Sequence, residues 1–210
     1  MAEIEYFYSA HSAFAYLGSS RFMAIAEAAG RTIVHRPYDL RKGVAECGSV
    51  PFGKRTPAHI DYFFGREIVR WGEIRGAALM DGMPTHHAKD MTLPNAVLIA
   101  AIEQGLNVDR LAHVMLEAHW RDDADLVDEP TLARLCRECD IDPAPLLEAA
   151  GSPEVLAIYA ANTEEAIARS VFGSPTYFVD GDMFYGQDRL EMVERALQQP
   201  FAGAWPPTAA

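Results

Sequence analysis

The chain changes pattern twice, and those two changes restrict the folds open to it. Ile4 to Tyr8 is a short, aromatic, β-prone run. It passes through the small polar stretch Ser9-Ala10-His11-Ser12 into Ala13–Ala29, where Phe14, Leu17, Phe22 and Ile25 form much of one helical face and Gly30 supplies a stop. Thr32 to Arg36 is a second strand, ended by Pro37, so the chain opens β-α-β with a connection long enough for a parallel pair. Residues 41–57, with several Gly and Pro, read as loop. From Thr56-Pro57 the periodicity is helical for about a hundred residues, in pieces near 58–75, 92–104, 108–119, 130–139, 143–149 and 153–169. At Gly173-Ser174-Pro175 the pattern reverts. Thr176–Val179 and Met183–Tyr185 read as strands joined through Asp180-Gly181-Asp182, a strong hairpin signal. Gly186-Gln187-Asp188 then leads into a last helix through about Gln198, and Trp205-Pro206-Pro207 reads as a frayed tail.

Strands from both ends of the chain thus flank a helical block. The expected class is α/β, in the order of the thioredoxin fold (β-α-β … β-β-α) with a large all-helical insertion. The expected division is a thioredoxin-like domain over residues 1–55 and 170–200, a helical insertion domain over 56–169, and a tail over 201–210. A length of 210 residues suits one domain with an insertion.

Charge and composition narrow the partners. Eighteen basic against thirty acidic residues give a formal charge of −12, which repels nucleic acid and anionic lipid surfaces. No apolar run approaches the ~20 residues of a membrane span; Ala96 to Ile102 is broken by Glu103. Met1 to Tyr8 has no basic n-region, so a cytoplasmic location is expected. Three cysteines are too few and odd in number for a disulfide framework. Cys136 and Cys139 form a C-x-x-C, but late in a helical segment, without the helix N-terminus that lowers a thiol pKa. They read as structural. No Cys or His spacing suggests a metal site.

Three short segments carry chemistry. In a β-α-β unit the end of the first strand meets the N-terminus of the first helix, where exposed N–H groups stabilise an anion. Ser9, His11 and Ser12 lie there. A serine hydroxyl at that place can donate to a thiolate or oxyanion, or serve as an N-cap, and the two roles are compatible. His11 is titratable near neutral pH or a plain polar loop residue. Gly173-Ser174-Pro175-Thr176 offers a cis-proline that presents backbone groups to an extended ligand, or an ordinary strand-opening proline. Asp188 in Gly186-Gln187-Asp188-Arg189-Leu190 can accept an amine at a helix entry.

Together these segments resemble the 2-hydroxychromene-2-carboxylate isomerase family, kin of kappa-class glutathione transferases with a DsbA-like thioredoxin fold, across about residues 3–198. Ser12-Ala13-Phe14-Ala15-Tyr16-Leu17 matches the Ser-to-Leu part of the family's opening motif. Phe172 to Thr176 and Tyr185 to Leu190 match its paired C-terminal signature, which is the specific part. A weaker match lies in the helical block at Glu67, Arg70 and Trp71. Departures stand out: the family's Pro after the serine is Ala13, the Asp of the opening strand is Ser9, and a polar residue, often Asn, aligns with Lys54. A family lysine in the next helix is replaced by His59.

The resemblance implies glutathione as cofactor. It implies that Ser12 hydrogen-bonds the glutathione sulfur, that Ser174 before a cis Pro175 pairs with the cysteinyl part, and that Gln187 and Asp188 hold the γ-glutamyl end. Lys54 and Arg55 can attract the glycine carboxylate or an acidic substrate, or form a solvated loop pair. Pro84-Thr85-His86-His87 falls where the family brings a loop toward the substrate, which makes His86 and His87, with His11, substrate-side candidates; surface histidines are the alternative. His113 and His119, six apart, do not share a helix face and receive no role. The implied activity is cis/trans isomerisation of an aromatic unsaturated oxo-acid in aromatic catabolism, through transient thiolate addition. A kappa-type glutathione transferase or peroxidase, and a non-catalytic binding module, are the alternatives. Family resemblance implies a homodimer, while the Tyr62-Phe63-Phe64 cluster reads as core.

Overall fold

In the computed structural model the described residues are 2–203, 205 and 206; Met1 and Pro207, on which two of the readings above touch, lie outside them. Strands β1 (Glu3–Tyr8), β2 (Thr32–Pro37), β3 (Thr176–Val179) and β4 (Asp182–Tyr185) form one sheet in the order β2-β1-β3-β4. β1 runs parallel to β2, with Tyr6 opposite His35, and antiparallel to β3, with Tyr6 opposite Tyr177. β3 and β4 are the expected hairpin. The two ends of the chain therefore share a sheet, and the thioredoxin order with its helical insertion holds.

Helix α1 (Ala13–Ala28) crosses from β1 to β2 and ends at Gly30, whose φ of +64° is the left-handed stop expected there. Its burial extends round most of the helix, because Ala13, Ala15, Gly18 and Ser19 let neighbours come close. A Cβ on Gly18 would lie 2.7 Å from Gln187 Cβ. Phe14 departs from its expected place in the core: it is only partly buried and turns toward a cavity.

The segment 41–57, expected as loop, contains helix α2 (Leu40–Glu46) and a 3-10 turn over Phe52–Lys54. Asp39 caps α2, accepting from the N–H groups of Arg41 and Lys42, while Leu40 and Val44, one turn apart, are buried. Gly43 does not break the helix; its missing Cβ makes room for the Tyr38 ring, 2.8 Å from where that atom would be. The helix expected over 58–75 is α3 (Pro57–Ile60), a wide π turn over Asp61–Arg66, and α4 (Glu67–Arg75), closed by Gly76 at φ +65°.

Helices α5 (Thr92–Glu103), α6 (Asp109–Arg121), α7 (Glu129–Glu138), α8 (Pro143–Ala150) and α9 (Pro153–Ala168) complete the block before β3, and α10 (Leu190–Gln198) follows β4. α5 is buried without interruption from Pro94 to Ala101, which is why its apolar run lacks a polar face. Among the described residues no helix is long and apolar enough to cross a membrane. Cys136 is buried at the end of α7, where burial pushes its thiol up to about 11, and burial also raises that of Cys139. Neither has thiolate character at neutral pH.

Tyr8 and Tyr6 of β1 and Tyr177 of β3 stack across two strands, with centroids 4.2 and 5.4 Å apart. The stack is tied to the helical block by a polar chain. His35 Nε2 lies 2.7 Å from Asp109 Oδ1 and His35 Nδ1 lies 2.9 Å from the Tyr8 hydroxyl. A carboxylate only accepts, so His35 Nε2 donates to Asp109 and its Nδ1 accepts from Tyr8. Burial alone would raise the Asp109 pKa, but the bonds from His35 and Asn107 hold it below the usual carboxylate value. Asp109→Ala leaves the His35 N–H without an acceptor and is expected to cost about 1–3 kcal/mol at pH 7 by urea denaturation. A carboxylate with a depressed folded pKa stabilises above its unfolded pKa and loses that contribution as pH falls through the folded one. The gap between wild type and variant should therefore close below about pH 4.

Candidate active site

The four residues between β1 and α1 make a tight turn, closed by Ser12 N donating to Ser9 O at 2.9 Å. Ser12 is the N-cap of α1, its hydroxyl oxygen accepting from Ala15 N at 3.3 Å while its proton goes to Ser174 O at 3.0 Å. Ser174 Oγ in turn accepts from Ser9 N at 3.2 Å. The Ser174–Pro175 bond is cis, and Pro175 O accepts from Gly186 N at 2.9 Å, which binds the start of the last helical segment to the same seam. Among the described residues the Ser174 N–H makes no hydrogen bond.

A cavity of about 300 Å³ opens against this seam. Phe14, Phe63, Phe64 and Trp120 give it aromatic walls. Its polar lining comes from His11, Ser12, Ser174, Arg41, Arg55 and His87. The two arginines have no carboxylate partner among the described residues, although most arginines of this acidic protein do. Arg41 donates to the backbone carbonyls of His87 (2.7 Å) and Lys89 (2.8 Å), and Arg55 lies over the rings of Phe52 and Phe64 at 4.6 and 5.0 Å. Burial lowers the Arg55 pKa, which is still that of a permanent cation.

Three histidines converge on one side. His11 is 4% exposed, and its carbonyl accepts from Trp120 Nε1 at 2.9 Å. Its ring centroid lies 4.9 Å from that of His87, which stacks on His119 at 5.4 Å. Burial, then His87, Arg41 and His119, hold His11 well below the usual imidazole value. Burial, His119 and Arg41 bring His87 to about 4. Burial also lowers His119, partly offset by its bond to the Ala124 carbonyl. All three rings are neutral at pH 7. Among the described residues no group of three His, Cys, Asp or Glu is placed to hold a metal ion.

The structure brings together Ser12, Ser174, His11 and His87 of the residues singled out from sequence. The loop holding His87 is clamped, with the N–H and Oγ1 of Thr85 both donating to Asp123 at 2.6 Å. His86 faces away, 3.7 Å from Asp125, and does not line the cavity. Of the two loop cations singled out, Lys54 is exposed and outside the lining, whereas Arg55 lines the cavity. Pro175 stands immediately before β3 and does not line the cavity. Gln187 is buried beneath Gly18 with its side-chain oxygen on Arg75 Nε at 3.0 Å, and Asp188 is exposed and paired with Arg189 at 2.6 Å. Neither lies on this cavity wall. The Tyr62-Phe63-Phe64 cluster is not core: Tyr62 is exposed and the two phenylalanines are half-buried on the cavity wall, because the π turn holds no buried residue. Sequence reasoning missed Arg41 and His119. Arg41 follows the unrecognised cap Asp39, and the six-residue separation of His119 from His113 hid its neighbour across the fold.

The family model for the DSBA-like thioredoxin domain matches residues 3–198. A curated relative, the 2-hydroxychromene-2-carboxylate isomerase of Pseudomonas putida, is 26% identical over 199 residues, covering 92% of this chain and 93% of the relative. A solved 2-hydroxychromene-2-carboxylate isomerase superposes with a TM-score of 0.77 at 24% identity, covering 93% of this chain and 94% of its own. The cytosolic disulfide reductase DsbM from Pseudomonas aeruginosa, solved with GSH, gives 0.62 at 18% identity, covering 94% and 93%. Both structures share the fold.

Ser12→Ala removes the α1 cap and the link to Ser174 together. It is expected to cost about 1–2 kcal/mol in urea denaturation; a change within a few tenths would show that neither bond matters.

Proposed function

The chain belongs to the DSBA-like thioredoxin domain family, and from that premise we propose that it is a glutathione-dependent cis/trans isomerase of an aromatic unsaturated oxo-acid. The observation that carries this reading is the Ser12 hydroxyl, which caps α1 on the cavity wall beside a Ser174 N–H that is unpaired among the described residues. Disulfide exchange at this position would need cysteine, whereas positions 12 and 15 hold Ser and Ala and the three cysteines lie elsewhere. The names of the curated relatives support an isomerase.

The residues present suit glutathione. Among the described residues Ser174 offers a backbone donor without an acceptor, and Arg55 a cation without a carboxylate, in a protein of net charge −12. Of the two cations expected to attract the glycine carboxylate, Arg55 takes that role, and the exposed Asp188 holds the γ-glutamyl end, Gln187 being buried with its oxygens on Arg75. Bound glutathione would supply a thiolate able to add reversibly to an electron-poor double bond, so that the bond can turn.

The chain's own residues perform the rest. The N–H groups opening α1 and the Ser12 hydroxyl, turned from Ser174 O toward the sulfur, favour the ionised thiol. Phe14, Phe63 and Phe64 hold a planar aromatic substrate and exclude water. Arg41 supplies a fixed cation for an acidic substrate.

Calorimetric titration with reduced glutathione tests the reading. Saturable binding is expected, weakened about tenfold in Asp188→Ala and in Arg55→Met. Ser12→Ala should lower turnover, followed by the absorbance change of an aryl-substituted unsaturated oxo-acid, by about a hundredfold. Its effect on glutathione affinity should be much smaller. Folded protein that does not bind glutathione would overturn the proposal, and equal loss of binding and turnover in Ser12→Ala would remove the role of that residue.

A further inference from the structure

The hydrogen bonds around the three histidines fix where each proton sits. Ala10 N–H donates to Asn95 Oδ1 at 3.0 Å, so the amide Nδ2 of Asn95 is the group that donates to Ser9 Oγ at 3.1 Å. The remaining neighbour of Ser9 Oγ is His11 Nδ1 at 2.9 Å. The Ser9 hydroxyl hydrogen finds its acceptor when it donates to His11 Nδ1, which puts the single proton of neutral His11 on Nε2. A second chain runs the opposite way. His119 Nδ1 lies 3.1 Å from the Ala124 carbonyl, which only accepts, so His119 carries its proton there. Its Nε2 then accepts from His87 Nδ1 at 3.1 Å, and His87 is left with a bare Nε2. Both His11 and His87 line the cavity, and neither Nε2 makes a hydrogen bond among the described residues.

We propose that His11 and His87 are a fixed donor–acceptor pair for a substrate carrying both a carbonyl oxygen and a hydroxyl group, His11 Nε2–H donating to the carbonyl oxygen and His87 Nε2 accepting from the hydroxyl. Ser9, Asn95 and His119 are positioning residues that set the two tautomers. Arg41 holds the His87 backbone, and Trp120 that of His11. The pattern is polar but uncharged, and so demands a particular order of acceptor and donor on the ligand rather than a charge. A neutral imidazole N–H preset toward a carbonyl also stabilises negative charge developing on that oxygen without a proton having to move. The inference rests on the proposed function only in taking the ligand to be its substrate.

Long-range proton–nitrogen NMR on the 15N-labelled protein at pH 7 reads both tautomers directly. His11 is expected as the Nε2–H form and His87 and His119 as Nδ1–H forms, all neutral; the reverse assignment for His11 or His87 would overturn the pair. Ser9→Ala, checked for folding by circular dichroism, should mix the tautomers of His11 while leaving His87 unchanged. A probe, 3′-hydroxyacetophenone, should bind about tenfold tighter than acetophenone and shift both Nε2 signals, since only the former satisfies His87. Equal affinity for the two would also overturn the pair. If glutathione fails to bind while the tautomers and the probe preference hold, the proposed function falls and this assignment stands.

Discussion

Ser12 and Ser174 stand 162 positions apart, and the 3.0 Å bond between the hydroxyl of one and the carbonyl of the other joins the opening turn to the closing strand. Much of the site depends on that seam. It places the start of α1 beside the cis Ser174–Pro175 bond and leaves Ser174 N–H directed to neither helix nor sheet. Pro175 O then receives Gly186 N, so the entry to α10 is drawn to the same point. The strands that hold this arrangement come from the two ends of the chain and pair directly, and the helical block braces the same turn through Asn95 and Trp120.

The cavity beside the seam differs electrically from the rest of the molecule. Across most of the surface, arginines are matched by carboxylates, as with Arg169, which bonds Glu5 and Glu165. Arg41 and Arg55 instead spend their donors on backbone carbonyls or lie over aromatic rings. The histidines beside them are kept neutral by burial and by one another. A locally positive, largely apolar pocket thus forms in a protein whose net charge is −12, which is how an acidic chain can receive an anionic ligand without attracting polyanions.

Much of the fold was legible in the sequence because its signals were local. The switch of period at Gly173, the Asp-Gly hairpin and Gly30 after α1 each act within a few residues. Ser12 was legible both as a cap and as a site residue, since the two roles use one hydroxyl. Helix α2 was not, because Gly43 counted against it and its compensation, the Tyr38 ring, is a tertiary contact. The histidine cluster was only half legible. His11 and His87 stood out by position, but His119 meets His87 only because Asp123 and Arg41 hold the loop from opposite ends. Arg55 rather than Lys54 lines the cavity for a similar reason: the aromatic rings of Phe52 and Phe64 receive the guanidinium, a preference that spacing cannot express.

The clamped loop and the π turn form different sides of the same cavity. One side has its backbone fixed by Arg41, Asp123 and Trp120; the other, over Pro57–Arg66, contains no buried residue and relies on contacts among Phe14, Phe63 and Phe64. Local opening is cheap where few buried contacts hold a segment. The pocket is thus stiff where its hydrogen-bonding groups lie and compliant where it offers only hydrocarbon. A pocket of this kind tolerates variation in a ligand's outline more readily than variation in its functional groups, so chemically related compounds of different size can share one set of polar contacts.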